Sequence, residues 1–199
     1  MSKINKLVLR QEVLKTIRAS KEIEKKAFLA AESMVEKAKV EMLEEFDSHP
    51  VTQEILSGPE AENTSNTLGG YGNLYSFIGF AEGEDPTKTV REYLEKSIEL
   101  KRNARFIRNQ DAGAYSFGTS YPTMGEAESV APSPWEGKSW VRGVERGISG
   151  LGYYLYSKIT ELKNSRSGRA LQVAPKIRDL AFKPIKYLSI IISNFKRKI

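Results

Sequence analysis

The chain has 199 residues, of which 40% are hydrophobic and 28% charged, so it holds enough apolar material for one core in one domain. It contains no cysteine, which excludes a disulfide framework, a thiol nucleophile and a thiolate metal site. We expect no signal peptide, because charged residues follow Met1 at once. We also expect no membrane span, because no apolar run approaches the ~20 residues that a span needs.

The formal net charge of +6 is unevenly distributed along the chain. Residues 47–86 carry seven acidic and no basic side chains, whereas residues 138–199 carry fourteen basic and three acidic ones. Three interpretations stay open. The basic part binds nucleic acid, or the acidic part of one copy meets the basic part of the next, or the two parts neutralise each other within one domain.

Residues 7–46 are predicted to form one long helix. Apolar residues recur at steps of three and four, and no Gly or Pro occurs before Pro50. Forty residues would span about 60 Å, more than the width of a small domain, so we expect part of the helix to project or to pack on a neighbouring copy. The predicted stripe consists of Ala27, Phe28, Ala31, Met34, Val35, Ala38, Met42 and Phe46.

The long helix is predicted to end before Pro50, because helical backbone angles are disfavoured for the residue that precedes a proline. Residues 48–73 are rich in Gly, Asn, Ser and Thr and predict a long loop, with at most a short helical turn at 51–56. Residues 73–80, with several aromatic side chains, predict a strand.

A second helix is predicted from Asp85, which is a candidate N-cap, to about Ser97. Partial alternation over residues 98–109 predicts a basic strand, and turn residues then lead into a return strand over 114–121. Residues 122–137, rich in Pro, Gly and Glu, predict an exposed loop.

The segment from Pro134 to Tyr156 holds both tryptophans and five of the fifteen glycines. If it is helical from Ser139, Arg142 and Arg146 lie on one face at a spacing of four residues. A short strand is predicted over 170–173. A C-terminal helix is predicted from about Pro184, with an apolar face made of Ile185, Leu188, Ile191, Ile192 and Phe195.

No residue pattern predicts a catalytic, metal or cofactor site. His49 is the one histidine, so a triad or a zinc site lacks partners, and its place before a proline indicates a surface or cap residue. The glycines at 69–72 and 147–152 match neither the phosphate-loop nor the dinucleotide fingerprint. We therefore expect a protein that is not an enzyme and has no cofactor.

The fold class that these elements predict is α+β, with a long N-terminal helix and further helices packed on one mostly antiparallel sheet. We expect residues 1–46 to belong to the same domain as an α+β core at 47–180 with long loops, and residues 181–199 to form a C-terminal amphipathic helix.

The order of these blocks resembles tailed-bacteriophage neck proteins of the tail-completion or head–tail connector class. The resemblance covers most of the chain. It implies an α+β domain of one sheet flanked by helices, forming a ring of six or twelve copies around the DNA channel, without catalytic residues or cofactor. The blocks are the long helix at 7–46, the segment 73–80 followed by Asp85 and a helix, the basic hairpin, and the segments 139–151, 165–172 and 182–188.

The predicted function is thus that of a structural virion protein of a phage neck or tail top, made in the host cytoplasm. Its partners would be further copies of itself, other neck, portal-adaptor or tail-tube proteins, and packaged DNA through non-specific contact. The basic C-terminal part departs from an acidic channel lining, so we expect it to lie away from the channel. A basic nucleic-acid-binding module is the alternative function.

Candidate subunit-interface residues come from the two oppositely charged parts of the chain. We expect the tryptophans to act as packing anchors and the charged side chains to meet across the interface. The candidates are Trp135, Trp140, Arg142 and Arg146 in the basic part, and Glu82, Glu84 and Asp85 in the acidic part.

Overall fold

The computed structural model describes residues 3–68, 72–108, 113–134, 139–146, 154–156, 170–172 and 183–199. They form helices and short antiparallel strand pairs, which confirms the α+β class. The helices are α1 Lys3–Ala19, α2 Lys21–Ser48, α3 Pro50–Leu56, α4 Leu74–Ile78, α5 Thr87–Lys96, α6 Met124–Ser129, α7 Trp140–Arg146 and α8 Leu188–Lys198. The strands are β1 Glu99–Leu100, β2 Arg105–Arg108, β3 Gly113–Ser116, β4 Thr119–Ser120, β5 Tyr154–Tyr156 and β6 Ala170–Gln172.

The predicted single helix at 7–46 is instead two helices that meet at Ser20. Ser20 has extended backbone angles, and its hydroxyl accepts the N–H of Ile23 as the N-cap of α2. The hydroxyl of Tyr115 donates to the carbonyls of Ile17 and Arg18 at the end of α1. The break is therefore fixed from both sides, by a local cap and by a contact from a distant strand.

The predicted strand at 73–80 is wrong, because this segment forms α4. The side chain of Asn73 accepts the N–H of Ser76 at 2.9 Å, which starts the helix, and Gly79 ends it with a φ of +87°. Four of the five residues of α4 are buried. When a segment is buried on all sides, its sequence shows no alternation of polar and apolar residues. The sequence then cannot distinguish a short strand from a short helix.

The described strands form three separate two-stranded antiparallel ladders, β1 with β4, β2 with β3 and β5 with β6, instead of the one sheet predicted. The hairpin itself is confirmed, with Arg105 opposite Ser116 and Arg108 opposite Gly113. The pairing is interrupted between this hairpin and the β1–β4 ladder, where the side chain of Asn103 accepts the N–H of Gly118. The ladders are too short for one sheet to carry the core, so helices supply most of it.

Two further predictions differ in detail. The predicted loop at 122–137 contains α6, which Thr123 caps by accepting the N–H of Glu126. The C-terminal helix begins at Leu188 and not at Pro184, so Ile185 of the predicted apolar face lies before it. The rest of that face is confirmed, since Leu188, Ile191, Ile192 and Phe195 are buried. The short helix expected after Pro50 and the helix after Asp85 are both present as α3 and α5.

The main core lies between the C-terminal half of α2 and helices α3, α4, α5, α7 and α8. Of the predicted α2 stripe, Ala38, Met42 and Phe46 are buried, whereas Met34 is exposed because α2 has left the core there. Arg91 on α5 holds Asp47 through both of its carboxylate oxygens, at 2.9 to 3.1 Å. The first half of α2 and all of α1 thus extend beyond the main core.

A smaller aromatic cluster holds α1 and the start of α2 against the β2–β3 hairpin. Phe28 packs edge-to-face on Phe117 with ring centroids 5.3 Å apart, and Phe106 does the same with Tyr115 at 5.3 Å. Leu14 of α1 is buried beside the hairpin. Among the described helices, none has the length and apolar character to cross a membrane.

Candidate assembly surface

Helix α7 is fixed in the main core by Trp140. The indole ring lies 6.1 Å from the ring of Phe80 and 6.1 Å from that of Tyr187, and Trp140 is 1% exposed. The backbone of Trp140 donates to the carbonyl of Ala131 at 3.0 Å, which joins α7 to the end of α6. The expectation that Trp140 anchors packing is met inside the chain. Contrary to the prediction that Trp140 contacts another subunit, its buried side chain leaves almost no accessible surface for such a contact.

The two arginines of α7 are both exposed and lie one helical turn apart, as the spacing predicted. A guanidinium nitrogen of Arg146 lies 3.8 Å from a carboxylate oxygen of Glu128 on α6. Arg146 is therefore partly neutralised within the chain, by a carboxylate that lies outside the acidic part at 47–86. Trp135, the other predicted anchor, falls outside the described residues.

The predicted acidic residues sit in a tight, well-ordered turn that follows Phe80. Glu84 accepts the N–H of Ala81 through its side chain, and Gly83 adopts a φ of +85°. The hydroxyl of Tyr75 contacts the carbonyls of Ala81 and Glu84 and accepts the N–H of Glu84. The turn presents its carboxylates on a fixed backbone, and its exposed acidic residues are Glu82, Glu84 and Asp85.

Asp85 also has a local role at the start of α5. The N-cap of α5 is Pro86 and not Asp85 as predicted, but the Oδ1 of Asp85 accepts the N–H of Thr87 at 3.0 Å and its hydroxyl at 2.6 Å. The turn and α7 flank the same aromatic contact, that of Phe80 with Trp140. The structure thus places both predicted charged groups on elements that one buried aromatic pair holds together.

The basic end of α8 is largely engaged within the chain. The ammonium of Lys196 lies 4.2 Å from the ring centroid of Tyr121, and that of Lys198 lies 2.6 Å from Glu41 on α2. Arg197 donates to Asn194. The hydrogen bond from Lys198, together with its charge and that of Lys37, lowers the pKa of Glu41 despite the opposing effect of burial. Much of the basic charge described here therefore has intramolecular partners.

Sequence reasoning missed Glu54, which was counted among the acidic side chains of a loop region. Glu54 is fully buried at the centre of α3, where its two carboxylate oxygens accept the N–H of Ser65 at 2.8 Å and that of Leu74 at 2.7 Å. It ties the loop after α3 to the start of α4. No local signal distinguishes such a glutamate from an exposed one, because both N–H groups come from distant positions.

A second missed feature is the buried contact around Tyr187, just before α8. Its hydroxyl lies 2.6 Å from the hydroxyl of Thr52, and burial raises the pKa of Tyr187. Glu145 of α7 accepts the N–H of Tyr187 and that of Ser189, so α7 also caps α8. Helix α7 is therefore held by the packing of Trp140, by the ion pair of Arg146 and by the hydrogen bonds to Glu145.

His49 is confirmed as a cap residue. Its Nδ1 accepts the N–H of Val51 at 3.2 Å, and its ring lies 4.7 Å from that of Tyr187. Burial lowers the pKa of His49 from its usual value of 6.5, more than the carboxylates of Glu45 and Glu145 and the backbone of Lys186 raise it. The neutral imidazole is thus the form that the fold prefers.

We expect the fold to lose stability as pH falls below about 6.5. A depressed folded-state pKa means that the unfolded chain binds more protons, so the contribution of His49 is present above the unfolded value and is lost below it. The ring is half-buried and partly screened, so the loss should stay under about 1 kcal/mol. Urea unfolding at pH 7.5 and 5.5 measures it. A His49→Asn variant keeps a capping side chain but does not titrate, and an equally large loss in that variant would contradict the assignment.

Comparison of the chain with protein-family models, curated proteins and solved structures finds no match. Among the described residues, no three His, Asp or Glu side chains converge in a way that could hold a metal ion.

Proposed function

We propose that this chain is a structural protein of the neck or tail top of a tailed phage, where six or twelve copies form a ring that joins the head connector to the tail. The observation that supports it most directly is the arrangement of charge. The rigid acidic turn at 81–85 and the arginine face of α7 are two exposed surfaces of opposite sign on one core. Two surfaces of opposite charge on one molecule favour contact between the acidic surface of one copy and the basic surface of the next.

Ring assembly is tested directly by the mass of the purified chain. Mass photometry from nanomolar to micromolar concentration should show a discrete species at six or twelve times 22.4 kDa. The same measurement with neighbouring neck proteins added tests whether the ring forms only when a partner protein is bound. A monomer in every condition would remove the ring proposal.

Charge reversal on α7 should weaken assembly without unfolding the chain. In Arg142→Glu/Arg146→Glu, repulsion from the acidic turn of the next copy should raise the half-assembly concentration at least about tenfold. Both side chains are exposed, so the free energy of unfolding should change by less than about 1 kcal/mol. Sedimentation velocity gives the first quantity and urea unfolding the second.

The matched control is Lys25→Glu/Lys101→Glu, which makes the same change in net charge at two exposed positions outside α7 and the 81–85 turn. This control should assemble like the natural chain. If both double variants weaken assembly to the same degree, the effect belongs to net charge, and the placement of Arg142 and Arg146 at the interface is wrong.

A basic nucleic-acid-binding module is the second candidate. Arg142 and Arg146 are exposed cations on one helical face, as a phosphate contact requires. Such a module would bind duplex DNA with an affinity that falls steeply with salt. Gel-shift titrations at 50 and 200 mM salt test this function, because the absence of a shift at low salt would remove it.

A further inference from the structure

The α2 arm, residues 21–37, precedes the first buried residue of α2 and has exposed apolar side chains on two of its faces. The helical period of about 100° per residue places Ile23 and Met34 on one face, and they are 40% and 59% exposed. It places Leu29, which is 52% exposed, about 130° around the helix from them. Neither face packs on the chain itself, because Phe28 holds the arm to the β2–β3 hairpin from a third direction.

The first face has a gap between its two large side chains. Ala27 and Ala30 lie on it between Ile23 and Met34, one and two turns after Ile23, and Ala31 borders them. Four such positions on one helix form a hole that accepts one large side chain of a facing helix. The small alanine side chains make this hole deep enough for a leucine. We call Ile23, Ala27, Ala30 and Met34 the alanine face.

The second face presents one large side chain between two carboxylates. Glu22, Leu29 and Glu36 follow one another at intervals of seven residues, so they lie within about 40° of one another around the helix. All three side chains are exposed. Among the described residues, none pairs with Glu36, whereas Glu22 forms an ion pair of 3.0 Å with Lys26 one turn later. We call Glu22, Leu29 and Glu36 the Leu29 face.

Basic side chains border the alanine face. Within the α2 arm, the charged residues nearest to this face around the helix are Lys26 and Lys37. They pair within α2 with Glu22 at 3.0 Å and Glu41 at 4.0 Å, but the two lysines are 75% and 80% exposed. Exposed pairs of this kind contribute little to stability, so the ammonium groups remain able to meet carboxylates of another molecule. The two faces are thus complementary in shape and in charge.

Cyclic symmetry brings these two faces to the same height, because every copy in a ring stands level with its neighbours. When the arms run along the ring axis, Leu29 of one copy comes level with the two alanines of the next copy, at positions 27 and 30. Glu36 then comes level with Lys37, and Glu22 lies about one turn from Lys26. The angle of about 130° between the faces lies between the interior angles of a ring of six, about 120°, and a ring of twelve, about 150°.

We propose that the α2 arms of neighbouring copies pack side by side, with the Leu29 face of one copy on the alanine face of the next. This inference rests on the ring proposed above and names a contact within it, separate from that between the α7 arginines and the 81–85 turn. Leu29 fills the gap over the two alanines, and the carboxylates beside it meet the two lysines that border the gap. Each copy gives one face and receives the other, as a closed ring requires.

The apolar part of the contact is tested with Leu29→Gln, which preserves helix propensity. Burial of a leucine is lost, so the half-assembly concentration in sedimentation velocity should rise at least about tenfold. Ala30→Leu should weaken assembly as well, because it fills the gap, although it adds apolar surface. The matched control is Ile190→Gln, which changes an aliphatic residue of 42% exposure on α8 and should leave assembly unchanged. All three positions are exposed, so circular dichroism and urea unfolding should show the variants folded like the natural chain.

The charged part is tested by exchange. Glu22→Lys/Glu36→Lys should weaken assembly, and so should Lys26→Glu/Lys37→Glu. An equimolar mixture of these two variants should recover assembly, because alternating copies then meet with opposite charge at both faces. A mixture that assembles no better than its components would contradict the contact. Lys25 lies beside the Leu29 face, and its reversal in the charge control for α7 keeps that face acidic, so that control should still assemble.

Disulfide crosslinking tests which faces meet, because the natural chain has no cysteine. A mixture of Leu29→Cys and Ala30→Cys should give a disulfide-linked dimer on oxidation, whereas each variant alone should stay uncrosslinked. A variant that crosslinks to itself would show two-fold pairing of the arms and overturn the proposal.

The outcomes also distinguish the arm contact from the ring. If the natural chain assembles, the cysteine mixture gives no dimer and Leu29→Gln assembles equally well, the packing of the arms is wrong and the ring stands. If the natural chain is monomeric alone and with its neighbours, both proposals fall.

Discussion

Replacing Trp140 with alanine should lower the free energy of unfolding by about 3–5 kcal/mol, the range observed when a buried large aromatic side chain is removed. Trp140 is fully buried and joins Phe80 on one side to Tyr187 on the other. Its removal leaves a cavity where α7 meets the segment before α8, which the surrounding helices fill only in part. Urea unfolding followed by circular dichroism measures the loss.

Trp140→Phe is the informative control. Among the described residues, the indole Nε1 of Trp140 is buried without a hydrogen-bond partner, and phenylalanine removes that donor while it keeps most of the ring. We therefore expect a loss of no more than about 1 kcal/mol, far below that of the alanine variant. A phenylalanine variant as unstable as the alanine variant would show that Nε1 has a partner that matters.

Replacing Glu54 with alanine should cost about 3–5 kcal/mol. The carboxylate of Glu54 satisfies the N–H groups of Ser65 and Leu74, and its removal leaves both donors buried without an acceptor. Glu54→Gln keeps one oxygen acceptor and should cost less, about 1–2 kcal/mol. Urea unfolding of the two variants measures both losses and shows which variant is less stable.

Glu62→Ala is the matched control for this series. Glu62 is an exposed acid from the same part of the sequence, so its removal should change the free energy of unfolding by less than about 0.5 kcal/mol. An equal loss at Glu54 and Glu62 would show that the effect comes from net charge, and the interior role of Glu54 would be wrong.

Several elements could be predicted because their signals are local. The buried face of α8 is visible in the spacing of Leu188, Ile191 and Phe195, and α5 begins just after Asp85, whose side chain accepts the N–H of Thr87. The hairpin follows from two polar-apolar runs around a turn. In each case, the structure depends on residues that are close in sequence, so the pattern of those residues predicts it directly.

The candidate site was predictable in part. The spacing of Arg142 and Arg146 on one helical face was visible, as was the acidic character of the turn at 81–85. The burial of Trp140 was not, because an aromatic residue beside exposed charges suits an interface and an interior equally well. The ion pair of Arg146 with Glu128 also depends on how α6 and α7 meet.

The sequence by itself determined the segregation of charge, the largely helical character of residues 7–46 and the apolar face of the last helix. The tertiary structure alone decided three further features. The hydroxyl of Tyr115 reaches the end of α1 across about a hundred residues, the segment after Asn73 becomes a buried helix, and Glu54 turns inward. For Tyr115 and Glu54 the physical reason is that only the packing of distant segments brings the backbone donors and acceptors within hydrogen-bond distance. For α4 it is that the core buries this segment on all sides, so its apolar residues show no helical or strand period.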